Sequence, residues 1–409
     1  MSSLTEEAGR AIPELAPLQR KLLVVGATGL AVSLAWLVVP GMNVAQFLQS
    51  YLLAYMWCLG VTLGCLALGM VHQLSGGAWG VVIRRPIGAA ARVLPVMTLL
   101  FLPIAFGMGH LYVWTRPEAV AADELLQHKQ IYLNTTFFLV RAAIYFLVWN
   151  GLSHFLNTWA LEQDRTGDPR LGRKMQMLSG GGLLAYGITI TFASFDWLMS
   201  IDPHWFSTIY GVLIIGGQGL SALAFLIGVA VWLSRRPPLD RIVVASHFHD
   251  LGNLMLAFVM LWAYFSFSQY LIIWSGNLPH EIGWYLHRVP TSWRFVGLGL
   301  IVFHFGVPFV LLLSRRVKRQ ADTLLKVATL VLIARVVDLW WLIAPDFHHE
   351  GISASWLDVV LPLSMGSLWL GCFVRQLRGR AILPVHDPQF DEALGDIIER
   401  GGEQPRAAH

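Results

Sequence analysis

The sequence predicts an all-α integral membrane protein of ten transmembrane helices with both termini in the cytoplasm, and three observations carry that prediction. Hydrophobic residues make up 56% of the 409 positions and charged residues only 13%, far from the balance of a water-soluble globular protein. Ten apolar runs are each long enough to cross a hydrocarbon core of about 30 Å as a helix. Lys and Arg alternate strictly between rich and poor connections, as the positive-inside rule requires of a multi-pass chain.

Taken in order, the runs fall at 21–39, 49–73, 87–110, 134–160, 180–199, 207–234, 247–274, 294–314, 322–344 and 355–375. The first follows Arg10, Arg20 and Lys21. Arg84, Arg85 and Arg92 stand between the second and third runs, and Arg165, Arg170, Arg173 and Lys174 between the fourth and fifth. Arg235, Arg236 and Arg241 separate the sixth from the seventh, and Arg315, Arg316, Lys318 and Arg319 the eighth from the ninth. Arg375, Arg378 and Arg380 close the tenth. The opposite connections hold only Arg116, Lys129, Arg288 and Arg294, so the bias is twenty against four. A missed or spurious helix would mix the two sets.

Three parts follow: a cytoplasmic segment 1–20, a ten-helix domain 21–377 and a cytoplasmic tail 378–409. Apart from the tail and a loop of about two dozen residues at 111–133, the connections are short, which leaves no room for a separate soluble catalytic domain. The first twenty residues carry Glu6, Glu7, Arg10, Glu14 and Arg20, without an apolar h-region or a small-residue cleavage site, so the first helix is expected to stay in place. Trp114, Trp205, Trp274, Trp284, Trp293, Trp340, Trp341 and Trp356 cluster at the outer helix ends, where an interfacial aromatic belt is expected. Cys58, Cys65 and Cys372 lie within runs and form no CxxC pair, which reads as small core residues rather than zinc or iron–sulfur ligands.

Internal echoes suggest a duplication. "DWLMSIDP" (196–203) and "DLWWLIAP" (338–345) share Asp, Ile and Pro at the same positions, and "HLYVWT" (110–115) pairs with "YLIIWS" (270–275). Both pairs lie four helices apart. Two related four-helix bundles are therefore expected, helices 2–5 and 6–9, with helices 1 and 10 flanking them.

Ionisable residues inside a bilayer are costly and are functional candidates by default. Arg141, Asp196, Arg335, Asp338 and Asp358 belong to the outer half, with His110 at its edge. His72, His154, His247, His249 and Asp250 belong to the inner half, and His304 lies near the middle. Arg335 and Asp338 are three residues apart on one helix face, so a local ion pair accounts for both. Arg141 is placed to neutralise Asp196 across the bundle. Asp250, near the start of the seventh helix, reads either as an N-terminal cap or as a proton-uptake group. His154 and His304 read as hydrogen-bonded core histidines. Intrinsic haem b would need facing histidine pairs, whereas the in-span histidines stand singly on different helices; a P-loop and a dinucleotide fingerprint are also missing from the sequence.

Four segments carry a resemblance: "SFDWLMSIDPHWFSTIYG" (194–211), "HKQIYLNTTFFLVRAAIYF" (128–146), "HDLGNLMLAFVMLWAYFSFSQYLIIWSGNLPHEIGWY" (249–285) and the tail motif "LPVHDPQFDEAL". Together they resemble the NrfD-like family of polysulfide reductase membrane subunits, and within it the membrane subunits of alternative complex III, a bacterial quinol:electron-acceptor (cytochrome c type) oxidoreductase. The resemblance spans essentially all ten helices. It implies a subunit of the bacterial cytoplasmic (inner) membrane that has no redox centre of its own and supports quinol oxidation and proton translocation in an electron-transport chain. The partners it implies are a second NrfD-like membrane subunit, an iron–sulfur subunit and multihaem cytochrome c subunits, all in contact with the lipid bilayer and none with nucleic acid. Quinol or menaquinol, haem c and iron–sulfur clusters then belong to the complex, and the paired membrane subunit is the one credited with the quinol pocket.

Carried over residue by residue, the family's proton-path positions fall on Arg141, Asp196, Asp202, His204, His249 and Asp250. Asp338 and Arg335 join them through depth and the internal echo. No catalytic, cofactor-binding or metal-ligating residue is assigned. Two other readings stay open. In one the chain binds quinol itself, with Asp202 and His204 accepting its protons; in the other it is a secondary transporter, for which "SGGG" (179–182) and "IGGQG" (215–219) are the glycine-rich segments to inspect.

Overall fold

The computed structural model describes residues 15–37, 43–236, 239–240, 243–378 and 380. The expectations for residues 1–14, for Arg241 and for the tail beyond Arg380 lie outside the described residues. Among the described residues ten helices are long and apolar enough to cross a membrane, so the fold is all-α and multi-pass. They are α1 (Leu15–Trp36), α2 (Val44–Ser75), α3 (Arg84–Phe106), α4 (Thr135–Thr166) and α5 (Pro169–Trp197), then α6 (Tyr210–Leu233), α7 (Ala245–Gly276), α8 (Trp293–Leu313), α9 (Ala321–Ile343) and α10 (Leu357–Leu377).

Caps, rather than hydropathy, fix the ends. Asn43 accepts from the N–H groups of Ala45 and Gln46 at 2.9 and 3.3 Å, Asn134 from Phe137 at 2.8 Å and Asp168 from Arg170 at 2.9 Å. One start moves accordingly: α5 begins at Pro169, well before the apolar run at 180, while α1 is already helical at Leu15, the first described residue. Proline in the first turn and the Asp168 cap start a helix where "RLGRKMQM" is too polar to register as a span. Gly167, at φ 66°, ends α4 in the left-handed conformation and gives its N–H to Gln163 O at 2.8 Å, so α4 and α5 are joined by a very short turn.

Two spans are irregular. α3 is three helical segments, Arg84–Ala91, Leu94–Leu100 and Leu102–Phe106, and Pro95 and Pro103 lie in the first turns of the second and third. α8 contains a π-helical turn, Ile301–Gly306, followed at once by Pro308. Lacking an N–H, Pro308 cannot bond the His304 carbonyl, and the ladder loosens there.

α2 and α6 form the buried centre. They cross at Gly64, where a Cβ would overlap the backbone carbonyl of Gln218. Around that crossing, α2 packs against α3 and α5, and α4 against the same two helices. α6 in turn packs against α7 and α9, and α8 against those two. α5 also touches α6, and α9 touches α2. Helices α2–α5 and α6–α9 thus meet their neighbours in the same order. Outside it, α1 lies along α10, with Gly26 against the Leu368 backbone and Gly371 against Leu23.

Because backbone lies on the far side of Gly64, Gly64→Ala has no side chain to push aside. It should lower the thermal midpoint of the purified protein by the equivalent of about 1–3 kcal/mol, the usual cost of overpacking. Gly151→Ala, on α4 with nothing within 4 Å of its added carbon, is the control. Equal midpoints for the two variants would refute the close crossing.

Candidate functional site

Asp196 lies in the last turn of α5, before the 3₁₀ turn Met199–Ile201. It is fully buried and both its oxygens are occupied. Arg141 of α4 donates Nε to Oδ2 and Nη2 to Oδ1, each at 2.8 Å, and Tyr145 donates its hydroxyl to Oδ2 at 2.7 Å. The arginine is fixed in turn: Nη1 donates to Tyr132 O at 2.9 Å, and the guanidinium lies 3.9 and 4.3 Å from the ring centres of Tyr132 and Phe137. This is a bidentate pair across two helices, with both carboxylate oxygens and all three guanidinium nitrogens engaged.

The counterpart in the second bundle is built differently. Asp338 pairs with Arg335 on its own helix, as their spacing implies, and Trp262 of α7 donates its indole N–H to Asp338 Oδ2 at 3.0 Å. Gly217 on α6 leaves the space that the Arg335 guanidinium fills. The fourth member is His304, on the π-helical turn of α8. Its ring centre is 4.2 Å from that of Trp262, the side chain is fully buried, and both ring nitrogens lack a hydrogen-bond partner. An unsatisfied buried polar group costs about 1–3 kcal/mol. The expected hydrogen-bonded core histidine is therefore not what α8 carries. His154, the other residue so expected, is exposed on α4.

From the second pair a row of polar groups leads to the outer loops. Tyr210, buried at the start of α6, lies within electrostatic reach of Arg335 and Asp338 and also of Arg288 and Asp346. Arg288 is fully buried; it donates Nη2 to Asp346 Oδ1 at 2.9 Å and Nη1 to Trp284 O at 3.0 Å, and it stacks 3.5 Å above the Trp284 ring. Burial pulls this guanidinium below its ordinary value, and Asp346 pulls it back. Asp202 acts on Asp346 in turn. At the surface Asp202 Oδ1 accepts the His204 N–H at 3.1 Å, and the exposed His204 ring pairs with Asp123 at 2.6 Å. The hydrogen bond from His204, with the N–H groups of Leu125 and Leu126, holds the Asp123 carboxyl below the usual carboxylate range. Lys129 donates to Pro203 O at 2.5 Å; burial lowers its ammonium, while Asp202 and Asp123 act against that shift.

The inner pair is separate. His249 Nδ1 lies 3.6 Å from Asp250 and 3.3 Å from the Asn253 amide, whose Oδ1 accepts from Lys318 at 2.6 Å. α7 begins at Ala245, which puts Asp250 in its second turn, so of its two readings the cap falls away; it is His247 that accepts the Val244 N–H at 3.2 Å. Asn253 and Trp262 are nine positions apart on α7, about 13 Å along the axis. The buried side chains between them, Met255 and Val259, are apolar. Electrostatic reach, through Tyr210 and Asp346, is thus what relates Asp338 and Arg335 to the Asp202–His204 loop, and both Asp196–Arg141 and His249–Asp250 stand apart from it.

Reading residues for charge missed His304, Trp262, Tyr145 and Arg288 as members. His304 alone left a signal, as a histidine in the middle of "IVFHFG". The aromatic belt also needs correction, since Trp114, Trp205, Trp284 and Trp293 are buried while Trp274 and Trp356 are exposed. Trp205 stacks on Trp284 at 4.9 Å and Trp341 meets it edge-on at 5.2 Å, so these indoles close the outer end of the second bundle around Arg288. Asp358, at the start of α10, accepts from Ser50 at 2.5 Å and from the Ser355 N–H at 3.0 Å, which ties α10 to α2. No protein-family model matches this chain, and neither does any curated protein.

Removing one partner of a buried pair leaves an uncompensated charge and costs about 3–5 kcal/mol, whereas removing both costs less. Arg141→Gln should therefore lower the unfolding midpoint in detergent more than Arg141→Gln/Asp196→Asn does. If the loss in the double variant equals the sum of the losses in Arg141→Gln and Asp196→Asn, the two side chains are not coupled.

Proposed function

We propose that the chain is a membrane subunit of a quinol:electron-acceptor oxidoreductase of the alternative complex III kind, in the bacterial inner membrane, where it carries protons rather than electrons. Quinol oxidation and electron transfer take place on partner subunits: a second NrfD-like subunit, an iron–sulfur subunit and multihaem cytochromes c. The observation that carries this reading is the cluster of His304, Asp338, Arg335 and Trp262 inside the second bundle, continued outward through Tyr210, Arg288–Asp346 and Asp202 to His204. Buried carboxylates and histidines in chains are what proton relays in membranes use.

In this reading His304 and Asp338 exchange the proton within the bilayer, and Arg335 and Trp262 set the charge and orientation of the carboxylate. The saturated pair Arg141–Asp196 holds α4 to α5. His249 and Asp250 collect protons at the inner face, from which the apolar stretch of α7 must be crossed by water. A transporter finds less support. α3 and α8 are interrupted, yet their counterparts in the repeat, α7 and α4, run unbroken, so matching broken helices do not face each other. Gly217 and Gly219 serve close packing against Arg335 and Phe258.

Tagged in its host and purified in mild detergent, the chain should bring c-type haem bands in a reduced-minus-oxidised spectrum together with a large iron–sulfur subunit; a colourless, solitary chain would sink the complex assignment. In the intact complex, His304→Gln and Asp338→Asn should lower the proton-to-electron ratio while quinol-to-acceptor electron flow persists. Asp196→Asn should instead reduce the yield of assembled complex at an unchanged ratio. A normal ratio in both His304→Gln and Asp338→Asn would remove the second bundle from the route.

A further inference from the structure

Two histidines from different segments meet at the outer end of the second bundle. His287, which follows the short helix Pro279–Leu286, and His349, in the loop between α9 and α10, are both exposed, and their ring centres lie 4.8 Å apart with the planes tilted by 60°. Their backbones are held together from both sides. His287 precedes Arg288, whose buried guanidinium donates to the Leu342 carbonyl at 3.3 Å and to Asp346 at 2.9 Å. The His287 carbonyl accepts the Thr291 hydroxyl at 2.9 Å. His349 follows His348, whose carbonyl accepts the Trp293 indole N–H at 2.9 Å. Just beyond, the loop turns at Gly351, at φ 148°, and the Ile352 N–H donates to Ser292 Oγ at 2.8 Å. Both rings are thus placed by anchors on the stretch 288–293 rather than by each other.

Packing does not ask for this contact, because two exposed imidazoles bury little surface and repel once both are protonated. A shared metal ion does ask for it. With metal–nitrogen bonds of about 2.0–2.1 Å, each ring centre stands about 3.2 Å from the ion, and two rings at the tetrahedral angle come about 5 Å apart. Imidazole nitrogen suits zinc and copper(II), whereas magnesium and calcium take oxygen. Among the described residues no group of three or more His, Cys, Asp or Glu side chains is placed to hold a metal ion, so the pair supplies two ligands and water the rest. Such a site is open and exchangeable rather than structural. Other histidines of the outer loops have different neighbours: His348 Nε2 meets Gln46 Oε1 at 3.2 Å, His204 pairs with Asp123, and His280 lies against the Phe206 ring.

We propose that His287 and His349 form a two-histidine site for a borderline divalent transition-metal ion, of which zinc is the type. An ion bound there brings two positive charges to a place where His349 already acts electrostatically on Asp346, the partner of Arg288. Bound zinc would therefore oppose the passage of a proton through Asp346 to the outer loops. That consequence, unlike the site itself, rests on the proton route proposed above.

The test uses the full chain in mild detergent, purified on a tag without histidines, with zinc as the probe and magnesium as the control, read by calorimetric titration. Zinc should bind saturably and magnesium should not. His287→Ala and His349→Ala, both at exposed positions, should each weaken the same binding event by at least about tenfold, since each removes half of the protein's ligands. No zinc binding by the unaltered chain overturns the site, and so does an isotherm that is unchanged in both variants or altered in only one. In the intact complex, zinc should lower the proton-to-electron ratio of the unaltered protein and leave that of His349→Ala unchanged. Zinc that binds through both histidines without moving the ratio leaves the metal site standing and removes Asp346 from the outer exit.

Discussion

The depth of the two buried carboxylates goes with how closely α2 and α6 approach. At Gly64 the two backbones meet with no side chain between them, and a Cβ would overlap the Gln218 carbonyl. That contact brings α5 alongside α6 as well as α2, and α9 alongside α2 as well as α6. Asp196 and Asp338 ride on those two flanking helices, so each carboxylate is carried into the protein interior rather than toward lipid. Gln218 itself, at the crossing, accepts the Tyr186 hydroxyl at 2.7 Å and so fastens α5 to the same point. With lipid on the outside offering no hydrophobic drive between helices, such close backbone contact and internal hydrogen bonds are what association has to work with.

Once inside, the two carboxylates meet opposite solutions to the same cost. Asp196 takes its arginine from another helix, and that pair acts as a clasp that α4 cannot leave without exposing a charge to a low-dielectric interior. Asp338 takes its arginine from its own helix, so the ion pair itself clasps no second helix, and the tie from α9 to α7 is the hydrogen bond from Trp262. α8, the counterpart of α4, is released from clasping and brings a histidine instead.

How far the sequence alone reaches follows from the same physics. The ten spans and the Arg335–Asp338 pair were readable, because hydropathy and i,i+3 spacing are local properties of the chain. The start of α5 was not, since Asp168 and Pro169 begin a helix whose first turns are too polar to count as a span. The tryptophans misled because composition near a helix end cannot say which way an indole points, and Trp205, Trp284 and Trp341 turn inward to cover Arg288. Asp250 misled by its depth on α7, for a cap is decided by a helix start that the apolar run places only to within a turn. Missing a member such as Trp262 has a different cause: it reads as one more apolar residue until its N–H is found on Asp338.

The π-helical turn of α8 is where the remaining argument rests. A residue inserted into an α-helix costs regular hydrogen bonds, and such turns persist where the displaced side chain has a use. Here Pro308 makes the loosening local, since it withholds the donor that the His304 carbonyl would otherwise receive. The displaced side chain is a histidine beside Trp262, which is bonded to the Asp338 carboxylate, and neither of its nitrogens is bound. Packing alone would be met better by leucine at this position, which carries no unsatisfied nitrogen and needs no irregular backbone. A helix defect, an unsatisfied imidazole and a carboxylate whose counter-ion is tethered to its own helix thus converge in one bundle, while the other bundle has an unbroken α4 and a saturated pair. It is on that asymmetry that the proposed proton route is assigned to the second bundle.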